Sequence, residues 1–400
     1  MPQNLAVKDP ARLRSWLGNI LLPFWAGTGF DAAHGTFVEK FEADGRPSRE
    51  DYTRVRVQAR QVFVFAHASR VGLSDDGLQL AQSAFAFLEE HAWDRAHGGW
   101  FHRLRLDGLP LDRTKDCYDH AFVLLALAAL YHAGGEPRVL ARARETVDFL
   151  DVAMGQARAG AFDGYSERQV ARGEALPLPR RQNPHMHLLE AFLALYEASG
   201  EAHWLARAQS IHDLFRRHFL QQGQLVEFFD ADWREVPQDG RDGARRLREP
   251  GHFFEWAWLL HRLALLTGDA GAAAAMRPLY DRAWEKGVDR GSEAPFVAFE
   301  ALDPDGRVLA GGSKRLWPQC EGVKAALAVY ERCGDEAALA AARHLLGGLF
   351  ATFADLNRPD WREQVDRDGG LLRPGMPSSS LYHLYLAVAE AVRVPGATRP

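Results

Sequence analysis

The sequence predicts an all-α protein: an (α/α)6 barrel of six helix hairpins, with short β-hairpins and long loops over one mouth. Three observations carry that prediction. One module recurs six times along the 400 residues, at intervals of roughly 60 to 70 residues, the length of a helix pair with its connections. Each module ends in a helix that is apolar over most of its circumference, whereas the helices between modules carry a single apolar stripe; that contrast is the mark of an inner and an outer layer. Polar residues also recur at the starts of the apolar helices. A closed ring would bring them to one mouth, while an open six-repeat solenoid, the structural alternative, would spread them along an edge.

Taken in order, the modules begin with a Gly-aromatic stretch, pass a turn often written Asp-Gly, and enter the apolar helix. The first runs from His34 (HGTFVEKFEADGRP…VRVQARQVFVFAHASR), the second from His97 (HGGWFHRLRLDGLP…DCYDHAFVLLALAAL) and the third from Gly160 (GAFDGYSERQ…RRQNPHMHLLEAFLALY). The fourth begins at Gly223 (GQLVEFFDADWREVP…PGHFFEWAWLLHRL), the fifth near Gly291 (FVAFEALDPDGRV…RLWPQCEGVKAALAVY) and the sixth at Trp361 (WREQVDRDGG…SSSLYHLYLAVAEAV). In the third, Asn183 reads as an N-cap and Pro184 as the first helical residue, where its missing N–H costs nothing. Leu188, Leu189, Phe192, Leu193 and Tyr196 then follow at helical spacing. The outer layer is read from DGLQLAQSAFAFLEEHAW, PRVLARARETVDFLDVA, EAHWLARAQSIHDLFRRHF and DEAALAAARHLLGGLFATF. No low-complexity segment or linker interrupts the series, so residues 1–400 are read as one domain. The Pro/Arg/Gly-rich stretches Ala171–Arg181 and Pro237–Gly251 are expected to be long loops over one face, a common form of lid.

Composition limits the partners. The chain is 47% hydrophobic and 25% charged with net charge −5, and it has no basic cluster, which argues against nucleic acid or an anionic membrane as the main partner. Its most apolar run, Ala121 to Tyr131, is too short to span a bilayer and reads as a buried helix. Three cysteines without CxxC spacing (Cys117, Cys320, Cys333), and an N-terminus lacking an apolar signal core, point to a cytoplasmic protein with reduced thiols.

The polar residues at the inner-helix starts are the candidate site. Arg56 and Arg60 lie four apart on the first helix, as a surface row or, for Arg60, as a site residue. Asp116, Tyr118, Asp119 and His120 precede the second helix, where Asp116 reads first as a cap. Asn183, His185 and His187 open the third. His187 lies four residues after Asn183 and shares its side of the turn, whereas His185 and His187, two apart, must face differently. In the fourth, His252 and Glu255 at i,i+3 share a face, so the carboxylate can orient the ring, and burying such a pair among Phe253, Phe254, Trp256 and Trp258 is costly without a purpose. Trp317 and Glu321 open the fifth. His383 in the sixth would alone read as structural, but its place in the sixfold register argues otherwise. Metal catalysis is disfavoured, since there is no HExxH or Cys/His cluster, and so are Rossmann, P-loop and GxSxG chemistries.

At these residues the chain resembles the N-acylglucosamine 2-epimerase superfamily over essentially its whole length. The resemblance rests on QAR ending at Arg60, DCYDHAF, RQNPHMHLLEA, HFFEW, RLWPQCE and SSSLYHLY, of which RQNPHMHLLEA is the most specific. It implies an (α/α)6 barrel and a cofactor-independent reaction without a metal, in which an open-chain sugar loses its C2 proton to a neutral histidine and gives a cis-enediol(ate). It further implies that His252 and His383 are the catalytic histidines, with Glu255 beside the first. Arg60, Tyr118, Asn183, His187, Trp317 and Glu321 match the sugar-contacting positions, and a guanidinium such as Arg60 suits a developing enediolate oxygen.

The expectation is therefore an aldose–ketose isomerase of the D-mannose/D-fructose type acting on a free sugar, with His383 as the C2 base. A 2-epimerase acting on mannose/glucose, N-acetylglucosamine or cellobiose is the alternative within the class. Outside it stand an (α/α)6 glycoside hydrolase using Asp119 and Glu321, and a sugar-binding protein on the same barrel. No nucleic-acid or membrane partner is expected, and the chain is read as a monomer or a homodimer.

Overall fold

The computed structural model describes residues 9–170, 174–176, 178–240, 243–291, 295–394 and 397. Six inner helices start at intervals of 62 to 68 residues: α2 (Val55–Arg70), α4 (Cys117–Gly134), α6 (Gln182–Ser199), α8 (Pro250–Thr267), α10 (Leu316–Cys333) and α12 (Leu381–Arg393). Each packs on the next, and α12 returns to α2, so the ring closes. The closed form is what the polar register demanded. Outer helices alternate with them: α1 (Pro10–Trp16, continued through Leu17–Leu21 into Leu22–Gly27), α3 (Gly77–His91), α5 (Pro137–Phe149), α7 (Ala202–Leu214), α9 (Ala270–Gly287) and α11 (Glu336–Thr352).

Helix α4 shows why the inner layer is inner. From Ala121 to Ala128 every side chain is buried, because the helix touches neighbours on all sides. The outer helices bury one stripe, as α5 does with Val139, Leu140, Ala143 and Val147. Four inner helices stop the same way, at Gly135, Gly200, Gly268 and Gly334, each with φ between 64° and 71°. That left-handed conformation lets the glycine N–H reach back to the carbonyl four residues earlier and ends the helix. No helix among the described residues is long and apolar enough to cross a membrane.

The opposite ends of the inner helices are tied together by strands. The two or three residues ahead of an inner helix pair with the hairpin of the following module: Tyr52–Arg54 with Arg103–Arg105, Lys115–Asp116 with Arg168–Gln169, Arg180–Arg181 with Phe228–Phe229, and Lys314–Arg315 with Gln364–Val365. Arg248 bridges Leu302 in the same manner, and Met376–Pro377 pairs with Lys40–Phe41 to close the circle. These pairings explain one correction. Asn183 is not an N-cap: the helix begins at Gln182 behind Arg181, since Arg181 is still held in the strand, and Asn183 lies within the first turn. Residues 171–173, 177, 241 and 242 of the two expected lid loops lie outside the described residues, as do residues 1–8 of the N-terminal stretch read for a signal peptide.

Candidate active site

In four of the six modules a further contact fixes the hairpin to its helix. One polar side chain in the first turn turns outward and bonds the backbone of the hairpin: Gln58 pairs with both the N–H and C=O of Phe37, and Gln319 donates to the carbonyl of Ala298. In the second and third modules histidine does the same work. Trp100 N–H donates to His120 Nε2 and Tyr165 N–H to His185 Nε2, both at 3.0 Å, while each Nδ1 faces a carbonyl of its own first turn. His185 is therefore a hairpin anchor, and His187, two residues on, faces inward.

In one register the hairpins present an acid, Glu39, Glu167, Glu227, Glu300 and Glu363, with His102 in the second module; all but the half-buried Glu300 are buried. These acids hold the helix starts. Arg54 N–H and Nε donate to Glu39, Arg181 Nε to Glu167, and Arg315 to Glu363. In the fourth module the acid faces a histidine instead, and Glu227 Oε2 lies 2.9 Å from His252 Nδ1.

The structure brings all nine residues singled out above into one cluster at the N-terminal ends of the inner helices. Arg60 donates to Tyr118 Oη at 2.7 Å and to the Ser379 carbonyl at 2.9 Å, its guanidinium 4.0 Å from the Phe122 ring centre. Tyr118 meets the His187 ring edge-on at 5.2 Å. His187 Nδ1 faces Glu190 at 3.1 Å, and its Nε2 is 3.8 Å from Glu255. Asn183 lies 3.1 Å from His252 Nε2. The Trp317 ring sits between the histidines, 5.0 Å from His252 and 5.8 Å from His383. Gly251 makes that seat possible: a Cβ there would stand 2.3 Å from the Trp317 ring. Glu321 is wholly buried, its Oε1 2.7 Å from His383 Nδ1 and its Oε2 2.7 Å from Lys324 Nζ.

Two expectations change. Glu255 does not orient His252; Glu227 does, because the hairpin acid reaches Nδ1 while Glu255 turns toward His187 and Glu321. Arg56 is not part of a surface row but pairs at 3.0 Å with the buried Asp119, which also holds His102. Sequence reasoning missed Glu227, Glu190, Lys324 and Tyr382. Glu227 was findable, since aligning the six hairpins puts it in register with Glu39, Glu167, Glu300 and Glu363. Lys324 and Tyr382 carried no signal beyond being polar atoms in apolar helices.

The charges of the two histidines differ. Burial pushes His252 down, but Glu227 and Glu249 outweigh it and raise the ring to about 10, so it is an imidazolium at neutral pH. Its Nε2–H then needs an acceptor, which Asn183 supplies once its amide is turned to present Oδ1, an atom otherwise buried and unpaired. His383 goes the other way: burial first, then the charges of Arg60 and Lys324, hold it well below 6.5 and neutral. Burial, with Glu321 nearby, pushes Glu255 well above the carboxylate range, and it is the protonated acid of the cluster. Arg60 Nε and Glu255 Oε1 are buried without a partner, unused polar atoms suited to a polyhydroxylated ligand. Glu255, Glu321 and His383 present atoms within 4.8 Å of one another, as metal ligands would, but the Lys324 ammonium already supplies the cation at Glu321. A cavity of about 720 Å³ at the other ends of the inner helices, lined by His67, Arg70, Trp258 and His261 among others, meets this cluster only through Glu190.

Two buried histidines thus stand on either side of an aromatic face at the mouth of an (α/α)6 barrel, the fold of sugar isomerases and epimerases. The chain belongs to the N-acylglucosamine 2-epimerase (GlcNAc 2-epimerase) family, which it matches over residues 35–387. It is 36% identical to a mannose-6-phosphate isomerase of Rhizobium meliloti (strain 1021), over 94% of this chain and 95% of that one. To a D-mannose isomerase of Pseudomonas cannabina pv. alisalensis it is 29% identical, over 84% of each. The structure of cellobiose 2-epimerase from Spirochaeta thermophila DSM 6192 superposes with a TM-score of 0.84, at 25% identity and 96% coverage of both chains.

Proposed function

We propose that this chain interconverts a free aldose and its ketose, of the D-mannose/D-fructose type, without a cofactor. The observation that carries the reading is the pair of buried histidines flanking Trp317, each with Nδ1 set against a glutamate. His383, neutral, takes the C2 proton of the open-chain sugar on Nε2; the C–H electron pair becomes the C1=C2 bond and the carbonyl pair moves onto O1. Arg60, held rigidly by Tyr118 and Ser379, meets that developing charge. A proton then passes from O2 to O1, the O2 electron pair forms the C2=O2 carbonyl, and the C1=C2 pair takes the proton back from His383 at C1, giving the ketose. His252, charged at rest, serves as an acid for ring opening, and Tyr118 and Trp317 offer flat faces to the sugar.

A free sugar is favoured over a sugar phosphate by the state of the guanidinium groups at the helix starts. Arg54, Arg56, Arg168, Arg181 and Arg315 each already hold a carboxylate, which leaves them poorly placed to neutralise a phosphate. The 2-epimerase reading has its own support, because an imidazolium at His252 could protonate the opposite face of C2. The three unpaired cysteines, two of them buried, fit the cytoplasm.

Proton NMR of the chelator-treated protein with D-mannose in D2O tests all of this. Fructose carrying solvent deuterium is the expected result, with D-mannose 6-phosphate turned over far more slowly. Glucose deuterated at C2 as main product would make the chain an epimerase, and no exchange with any free sugar would remove the reading.

A further inference from the structure

Lys324 is completely buried, one turn beyond Glu321 on α10. Its ammonium lies 2.7 Å from Glu321 Oε2, and the other oxygen of that carboxylate faces His383 Nδ1 at 2.7 Å. Three groups thus stand in line: ammonium, carboxylate, imidazole. The surroundings are Glu255 and Trp258 from α8, Glu190 from α6, Tyr382 from α12 and, on the far side of His383, Arg60 from α2 and His187 from α6. The Trp258 ring centre is 3.9 Å from Nζ.

Three carboxyl groups, Glu190, Glu255 and Glu321, share this dry volume with a single lysine. They cannot all be ionised there, since like charges in low dielectric repel strongly. Their partners decide the outcome. Glu190 faces His187 and accepts from the Tyr382 hydroxyl, and those bonds hold its carboxyl near 2 despite burial. Glu255 has no partner on Oε1 and carries the proton. Glu321 is the one that Lys324 touches: burial raises its carboxyl, and the ammonium is the chief group opposing the rise.

Resting on the isomerase/epimerase reading, we propose that Lys324 is a positioning residue for proton transfer at C2. It keeps Glu321 a carboxylate, Glu321 holds the hydrogen of His383 on Nδ1, and the lone pair of Nε2 is left facing the substrate. When Nε2 takes the C2 proton, the ring becomes an imidazolium with Nδ1–H still on Glu321, so the ion pair stabilises the charge that forms. The same ammonium repels a proton from the resting ring, and the base stays available at low pH.

The test compares the full-length wild type with Lys324→Met and Lys324→Arg, following C2 deuterium exchange and the pH dependence of kcat/KM. Lys324→Met is expected to lower kcat about tenfold or more with KM within about twofold, the scale of a mispositioned general base. Its acid limb moves to higher pH, because loss of the cation raises both the Glu321 carboxyl and the His383 ring. Lys324→Arg keeps the charge and most of the activity. If Lys324→Met does not fold, Lys324→Gln carries the same comparison. A readout independent of turnover is ¹⁵N NMR of histidine-labelled protein: His383 shows a Nδ1–H tautomer in the wild type and a mixture, or the other tautomer, in the neutral variant. An unchanged tautomer together with an unchanged pH profile would overturn the proposal. Absence of exchange in the wild type, with the tautomer still responding to Lys324, would instead count against the functional reading alone.

Discussion

His252 and His383 are each the third residue of an inner helix, each is buried, and each sets Nδ1 against a glutamate, yet one is charged and the other neutral. The difference lies one residue further out. Behind His252 stands Glu227 with a second carboxylate, Glu249, 3.8 Å from the ring, and no cation touches either histidine-facing oxygen. Behind His383 the glutamate is already matched by Lys324, and Arg60 adds a second positive charge nearby. Burial penalises both imidazolium forms alike, so the net charge of the surrounding groups decides which ring carries a proton. Two copies of one side chain at one helix position are thus set apart by the charges packed around them.

The sharpest way to break this contrast is to remove the base. His383→Ala should abolish C2 exchange, a loss of about 10²- to 10⁴-fold, while the fold is retained by circular dichroism. Exchange at a wild-type rate would transfer the role to another group.

Glu227→Gln tests the other half. Removing this carboxylate lets burial lower His252 from about 10, so the alkaline limb of the pH–rate profile should fall toward neutrality and the rate at pH 8 drop by about tenfold. Stability follows with the same sign. The folded-state value lies above the ordinary 6.5, so the stabilising contribution is complete below pH 6.5 and disappears as pH rises through about 10. Thermal melts of the wild type should decline across that window, and those of His252→Gln should decline less.

Smaller effects sharpen the comparison at the aromatic divider between the rings. Gly251→Ala places a methyl group 2.3 Å from the Trp317 ring, which must shift. KM is expected to rise several-fold, with a changed tryptophan fluorescence spectrum, because the platform moves rather than the acid or base. Smallest of all should be His185→Gln. Glutamine already anchors the hairpins at Gln58 and Gln319, so this change should cost about 1 kcal/mol or less in unfolding titrations and leave turnover within about twofold. A loss of activity as large as that for His383→Ala would show that His185 reaches the substrate.

Much of this was legible in the chain itself. The repeat spacing and the contrast between apolar and one-striped helices are local properties, and they determined six hairpins in two layers. The polar residues at the helix starts could be read as a group because 3.6-residue geometry places first-turn side chains at one end of each helix. His185 and His187 could be told apart by the same geometry, two residues being a turn of about 200°.

What only the tertiary structure decided was which groups become neighbours. Glu227 lies 25 residues before His252, and Glu190 lies 192 residues before Tyr382, so no helical period announces either contact. Ring closure sets His383, at the end of the chain, beside Arg60 near its start, and places Lys324 between three carboxyl groups from different helices. Electrostatic energy depends on distance and on the exclusion of water, and both are fixed by packing. The sequence by itself determined that acids, bases and aromatic faces would meet at one mouth. Only the assembled barrel decided which histidine holds the proton.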